Sequence, residues 1–307
     1  MYRVKNWPAY DIALRDRGNI TVCFGEEAIC SWNAPPSGHP GGQRRYSNLA
    51  IVTALTLRTV FHLPLRQTEG FLASLIGLMD RDLKTPDHTT LSRRNRDVEV
   101  PPFSQSSGPL HLVIDSTGLK ILGDKEWQSH KHKTSNKRRS WRKLHLGVDG
   151  DGYIIASALT DRIADDGCVA ISMLEQIKGS ITRFTADGAY DSRPMYDALA
   201  TARATNLRVV IPPMKTATVD ARATGVWRQR NQAIERIGEV GRRQWRKESG
   251  AHRQARAENG MYRYKRIIGD SLRARHPDAQ KTEALVAVSV INRMTTLGMP
   301  ESAKIVA

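Results

Sequence analysis

The spacing of apolar positions changes character three times along the chain. Residues 25–46, "GEEAICSWNAPPSGHPGGQRRY", carry neither a helical nor a strand period and are dense in glycine and proline, so they read as a linker. From Ser47 the stretch "SNLAIVTALTLRTVFHL" opens on a capping Ser or Asn and stops at Pro64, which predicts a helix. Phe71, Leu72, Leu75, Leu78 and Met79 then share one face of a second helix, and Asp87 caps a short third in "DHTTLSRRNR", which carries Arg93, Arg94 and Arg96. Between Gly108 and Pro213 the period shortens. "LHLVID" is a buried-type strand, and "RKLHLGVD" and "YIIASALT" form a hairpin about "DGDG". Helix, strand, helix and strand follow in "GCVAISMLEQI", "ITRFTAD", "DSRPMYDALATAR" with Asp191 as its cap, and "LRVVIPP". Beyond Pro213 the chain is polar, basic and helical, anchored by Trp227 and Trp245. Residues 257–269 read as helical, and "DAQKTEALVAVSVINRM" as a last amphipathic helix that packs Leu285, Val288 and Ile291 on the sheet.

Three consecutive strands followed by helix-crossover strands give an α/β fold, a mixed sheet flanked by helices as in the ribonuclease-H-like fold. Two domains are expected: an N-terminal arm and helical domain over 1–105, and the sheet domain over 106–307 with a basic helical insertion around 214–250. Three short helices ending in a basic one suit a helix-turn-helix-like DNA-binding domain. A plain helical packing domain with a solvated basic end suits the same pattern equally well.

Charge narrows the partner. A formal net charge of +16, from 47 Lys and Arg against 31 Asp and Glu, attracts a polyanion, because neutralised phosphates release condensed counterions. Nucleic acid is the leading class, ahead of a solubility charge or a membrane surface. Cys23, Cys30 and Cys168 are too scattered for a disulfide framework or a four-ligand zinc site, and fit a reducing cytoplasm. The N-terminus has no signal-like apolar core, and no stretch has the length of a membrane span.

The acids carry the chemistry. In the expected topology the first and fourth strands lie parallel side by side, so Asp115 in "LVIDSTGLK" and Asp187 in "TADGAYDS" sit at neighbouring strand ends. Alone, each has an ordinary explanation as a turn residue. Together they repel unless a cation lies between them, and a hard divalent ion such as Mg²⁺ prefers oxygen ligands. Glu258 in "AHRQARAENGMYRYKR" is the candidate third ligand. Lys265, seven residues on, returns to nearly the same helical face and is placed to touch a phosphate.

The blocks "VIDSTGLK", "TADGAYDS" and "ENGMYRYK" resemble the three catalytic blocks of the DDE transposases of bacterial insertion sequences, in the branch typified by insertion sequence five, over roughly residues 45–298. The resemblance implies a ribonuclease-H-like catalytic domain, two Mg²⁺ ions for which Mn²⁺ substitutes, and DNA partners: the terminal inverted repeats of an element and its target, bound by a homo-oligomer. It gives Asp115, Asp187 and Glu258 metal-binding roles and Lys265 that of the lysine after the glutamate. Metal-assisted cleavage and strand transfer need no covalent protein nucleophile, so Ser116, Thr117 and Tyr190 are hydrogen-bonding or packing groups. In the family pattern Tyr and Arg stand seven and four residues before the glutamate; here Ala251 and Gln254 do, and Gln254 offers a phosphate a hydrogen bond without charge. A decayed DNA-binding protein and a ribonuclease-H-type nuclease without strand transfer remain alternatives.

Two basic segments complete the reading. "HKHKTSNKRRSWRKLH" supplies Lys131, Lys133, Lys137, Arg138, Arg139 and Arg142 for the DNA backbone and Trp141 for stacking; its His130, His132 and His145 lack a fourth zinc ligand. From Arg222 to Lys247, a segment ending in Arg242, Arg243, Arg246 and Lys247 suits either a DNA clamp or an exposed helix.

Overall fold

The computed structural model describes residues 2–20, 24–36, 38, 40–103, 108–121 and 141–304, with backbone alone for Tyr2, Thr205 and Lys304. The chain forms two compact units, Met1–Pro102 with Leu272–Ala307, and Phe103–Ser271.

The first unit begins with β1 (Tyr2–Val4), α1 (Trp7–Asp16) and α2 (Glu26–Cys30). Helix α2 falls inside the stretch expected to be linker, which is further tied down by Trp32, 1% exposed, whose indole donates to the Lys84 carbonyl at 2.8 Å. The expected helices follow as α3 (Asn48–Val60), α4 (Leu65–Leu78) and α5 (His88–Arg94). Ser47 caps α3 by accepting from the Ala50 amide, and Asp87 caps α5 by accepting from the Thr89 and Thr90 amides. Pro64 starts α4 at 110° to α3. The core takes Leu72 and Ile76 from α4 but leaves Leu78 83% exposed, against the expected apolar face. Among the described residues no single helix is long and apolar enough to cross a membrane.

Arg94 corrects an expectation. It was read as a DNA contact, yet it is 6% exposed, and its guanidinium donates to the Tyr46 carbonyl at 3.0 Å and to Asn48 Oδ1 at 2.5 Å. Arg93, the next residue, is exposed. Arg94→Ala strands two acceptors inside the unit, so it is expected to lower unfolding free energy by about 2–3 kcal/mol in urea denaturation. Arg93→Ala should shift it by less than about 0.5 kcal/mol. Equal effects would contradict this division of roles.

The second unit is built on β2 (Leu110–Ile121), β3 (Trp141–Val148), β4 (Ile154–Asp161), β5 (Ile181–Thr185) and β6 (Ala204–Val210). Helix α6 (Asp166–Leu174) joins β4 to β5, and α7 (Arg193–Thr201) joins β5 to β6. The sheet order is β4-β3-β2-β5-β6, with β3 antiparallel to β2 and β4, and β5 parallel to β2 and β6. This is the mixed, helix-flanked sheet predicted from element order, and it is consistent with a ribonuclease-H-like fold. Alternation sorts the strand residues. Leu112 and Ile114 of β2 and Phe184 of β5 enter a core with Met173 of α6 and Tyr196 of α7. His111, Val113 and Asp115 therefore face the other side of the sheet.

That other face is covered by helices from the basic, polar part of the chain, α8 (Arg228–Ser249) and α9 (Ala255–Ile267). Helix α9 buries Ala257, Gly260, Met261 and Tyr264, one stripe at helical spacing. Gly260 permits the close approach, since a Cβ there would lie 3.1 Å from Val148 Cγ2 of β3. Asp191 does not cap α7 as expected. Its fully buried carboxylate accepts from Arg230 Nε at 2.8 Å and from the Met214 amide at 3.1 Å, tying α8 and the segment after β6 to the start of α7.

After β7 (Ser271–Leu272), α10 (Pro277–Leu297) returns to the first unit and packs on α3, and β8 (Ser302–Lys304) pairs with β1. This overturns the expectation that the last helix lies on the sheet. Val286, 1% exposed, joins the first unit's core, whereas Leu285 is 41% exposed. The helix buries residues around most of its circumference, so its apolar pattern left its partner unspecified.

Candidate active site

Strand register brings the two aspartates together. Val113 pairs with Thr185 across the parallel β2–β5 ladder, and two residues further on each chain stand Asp115 and Asp187, on the same face by alternation. Only Asp187 lies at a strand end. Asp115 is in mid-strand, because β2 continues to Ile121 paired with β3. Asp187 does perform the turn duty its "DG" suggests, accepting from the Ala189 amide at 2.9 Å to cap the 3-10 turn Gly188–Tyr190. Asp115 Oδ1 accepts from the Ser116 amide at 2.8 Å.

Glu258 comes from the first turn of α9, beside the buried stripe that seats the helix. The three acids are close enough to act on one another. Burial pushes the Asp115 carboxyl above its ordinary range, and the charges of Asp187 and Glu258 push it further. The Ser116 amide and Gln254 pull the other way. Gln254 ends a 3-10 turn, Ala251–Gln254, rather than continuing α9 backwards, so a single helical wheel does not describe 251 to 258. Its amide nitrogen donates to the Ile114 carbonyl at 3.2 Å, which fastens the turn to β2 next to Asp115. Ala251 is buried with Val210 and Trp245.

Asp187 and Glu258 line an open cleft of about 640 Å³ together with Lys215, Arg242, Arg246 and Lys247. Two features shape this part of the lining. Gly241, at φ 79°, breaks α8 and restarts it, and Arg242 then donates to the Pro213 carbonyl at 2.7 Å. Carboxylates and cations that share one cleft can serve a phosphodiester, the cations neutralising its charge and the acids offering oxygen ligands. Arg242, Arg246 and Lys247 belong to the segment that suited either a clamp or an exposed helix, whereas Lys215 and His252, which also line the cleft, were not singled out as site residues. Lys215 follows the end of β6 in "PPMK", and a charged residue just past a strand's C-terminal end was the available signal.

Behind the acids, Ser116 Oγ donates to Asp166 Oδ2 at 3.2 Å, and Lys143 Nζ donates to Asp166 Oδ1 at 2.8 Å. The Tyr190 phenol is 1% exposed. Burial pushes its pKa up, and Asp166, Asp115 and Asp187 push it further, so the phenol stays neutral and is no nucleophile. Asp166 and Lys143 had not been singled out.

The remaining predicted residues divide as follows. Lys265 lies two turns beyond Glu258 on α9, half-buried and away from the cleft lining. Arg142 is ion-paired with Asp161, its partner across the β3–β4 ladder, and does not stand free for DNA. His145 is fully buried against Thr160. Lys131, Lys133, Lys137, Arg138 and Arg139, with His130 and His132, lie outside the described residues. Among the described residues no three His, Cys, Asp or Glu side chains are gathered closely enough to hold a metal ion as they stand. The donor chemistry nonetheless suits a hard cation: three carboxylates, one of them destabilised by the other two.

The second unit is thus a mixed sheet with Asp115 on β2, Asp187 just past the end of its parallel neighbour β5, and Glu258 on a covering helix. A family profile described as a transposase DDE domain matches residues 106–293, and a second with the same description matches 15–124. The chain belongs to the DDE transposase domain family. Among solved structures, a chain from the cryo-EM structure of a piggyBac transposase synaptic complex with hairpin DNA is 12% identical over 90% of this chain and 74% of that one, with a TM-score of 0.35. That weak likeness adds nothing to the family match.

Proposed function

We propose that this protein is the transposase of an insertion sequence, in the branch typified by insertion sequence five. It binds the element's terminal inverted repeats as a homo-oligomer and cuts and joins DNA at Asp115, Asp187 and Glu258. The observation that carries the proposal is the cleft that Asp187 and Glu258 share with Lys215, Arg242, Arg246 and Lys247, beside an Asp115 carboxyl raised by burial and by both acids.

Asp115, Asp187 and Glu258 would hold Mg²⁺ or Mn²⁺, which supplies activation of a water or 3′-OH and stabilisation of the leaving 3′ oxygen when bound. The cations of the cleft position the scissile phosphate and neutralise its charge. Gln254 holds β2 and the 3-10 turn together, keeping Asp115 against Glu258. Tyr190 supplies a neutral hydroxyl beside the acids. End recognition is assigned to the first unit, where Arg66, Arg93 and Arg96 line a groove of about 710 Å³ with His88, Thr89 and Ser92.

A second reading, DNA occupancy without chemistry, is favoured by Ala251 and Gln254, whose side chains serve packing and a backbone hydrogen bond where the family has Tyr and Arg. One assay separates the two. Purified protein is incubated with labelled element ends and Mg²⁺ or Mn²⁺, and nicks are expected at the element terminus. A bound but uncut duplex under both metals leaves only the second reading.

A further inference from the structure

On the face that carries the acids, the sheet also carries a row of cations. His111 of β2 pairs in register with Arg183 of β5, and Arg183 with Arg208 of β6, so three adjacent strands, about 4.8 Å apart, present His, Arg and Arg side by side. Arg253 and Arg256, from the 3-10 turn and the start of α9, complete the group. Arg256 Nη1 donates to His111 Nδ1 at 3.3 Å, and His111 Nε2 then donates to Thr185 Oγ1 at 2.9 Å, which makes His111 neutral. Arg183 donates to the Ser249 carbonyl and Arg208 to the Glu248 carbonyl. Among the described residues none of the four arginines is paired with a carboxylate.

Like charges directly opposite across a ladder destabilise a sheet. The mutual repulsion is felt: burial, then Arg253, Arg208 and Arg256, bring the Arg183 guanidinium down to about 10, and burial with Arg183, Arg256 and Arg253 brings His111 down to about 4. Four guanidiniums gathered with no carboxylate among the described residues to pair them offer the forked donors that bidentate recognition of phosphate uses.

We infer that Arg183, Arg208, Arg253 and Arg256 form a second phosphate-binding site, which holds the backbone of the DNA strand away from the cleft where it reacts. This rests on the DNA-cleaving reading above. His111 and Asp115 are four residues apart on β2, about 13 Å at 3.3 Å per residue. That span is about four base pairs along a duplex axis. The site would set the register of the strand against the acids. His111 acts as a positioning residue that aims Arg256.

The test measures binding of a labelled element-end duplex by full-length protein across a salt series. At about 0.15 M salt each lost phosphate contact weakens binding about five-fold and flattens the plot of log K against log salt by about 0.9. R253Q/R256Q is therefore expected to weaken binding by about thirty-fold and reduce the slope by about 1.8, with circular dichroism unchanged. The single variant R208Q, at an exposed position, should show about half of that slope change and guards against misfolding of the double. Unchanged affinity and slope in both, alongside a clear loss in R246Q/K247Q, would overturn the inference and leave the DNA reading standing. Absence of duplex binding by the wild type would sink both. A third arm compares melting temperature in inorganic phosphate and in chloride at matched ionic strength. A phosphate-specific rise lost in R253Q/R256Q, without any change in DNA binding, would mark a free-oxyanion site and overturn the strand assignment.

Discussion

Asp115→Asn abolishes metal-dependent nicking of element ends, leaves duplex affinity unchanged, and raises the melting temperature. The first effect follows from the role proposed for the carboxylate. Losing a single hydrogen-bond donor to a developing charge costs about 10²–10³ in rate, and a lost metal ligand removes more, so the loss should be at least 10³-fold. The thermal effect has the opposite sign and comes from the same repulsion. Asp115 is raised above its ordinary value of 3.8 by burial and by Asp187 and Glu258, so above its folded-state pKa the ionised group destabilises the fold. Asn is uncharged and nearly the same shape, which removes that penalty. As pH falls below about 3.8 the wild type is protonated in both states and the advantage of Asn disappears. Divalent metal should raise the wild-type melting temperature by binding the folded state and leave the variant unmoved. A variant that melts lower at neutral pH and loses DNA binding would make Asp115 a structural residue.

Arg246→Gln with Lys247→Gln weakens duplex binding by about thirty-fold near 0.15 M salt and reduces the salt slope by about 1.8, on the same counterion arithmetic. Both side chains are exposed and line the cleft with Asp187 and Glu258, so the protein should remain folded. The break at Gly241 restarts α8 a few residues before Arg246 and Lys247, which line the cleft. Gly241→Ala, forced toward a left-handed backbone, should reproduce part of the binding loss although a Cβ there meets no neighbouring atom. Binding that weakens with an unchanged salt slope would mean the two residues act through packing and not through phosphate.

The corrections share a cause. Arg94 and Arg93 look alike in "SRRNR", and Arg94 is buried only because Tyr46 and Asn48, nearly fifty residues earlier, offer it acceptors. Asp191 looked like a cap until Arg230 and the Met214 amide were brought to it. Arg142 looked free in a basic run until the β3–β4 register set Asp161 opposite. In each case local pattern named the charge, and a distant segment decided its partner.

What could be read from the amino-acid order alone was the succession of periods and caps, and with it the mixed sheet and the opposition of Asp115 and Asp187. A parallel crossover leaves little freedom in which strands adjoin, and alternation then decides which residues share a face. The tertiary structure alone decided which surfaces cover that sheet. It sent α10 to the other unit, brought Lys215, Arg242, Arg246 and Lys247 around the cleft, and gathered Arg183, Arg208, Arg253 and Arg256 beside His111. Periodicity records that a face is apolar or charged, whereas the partner of that face depends on contacts between segments far apart in the chain.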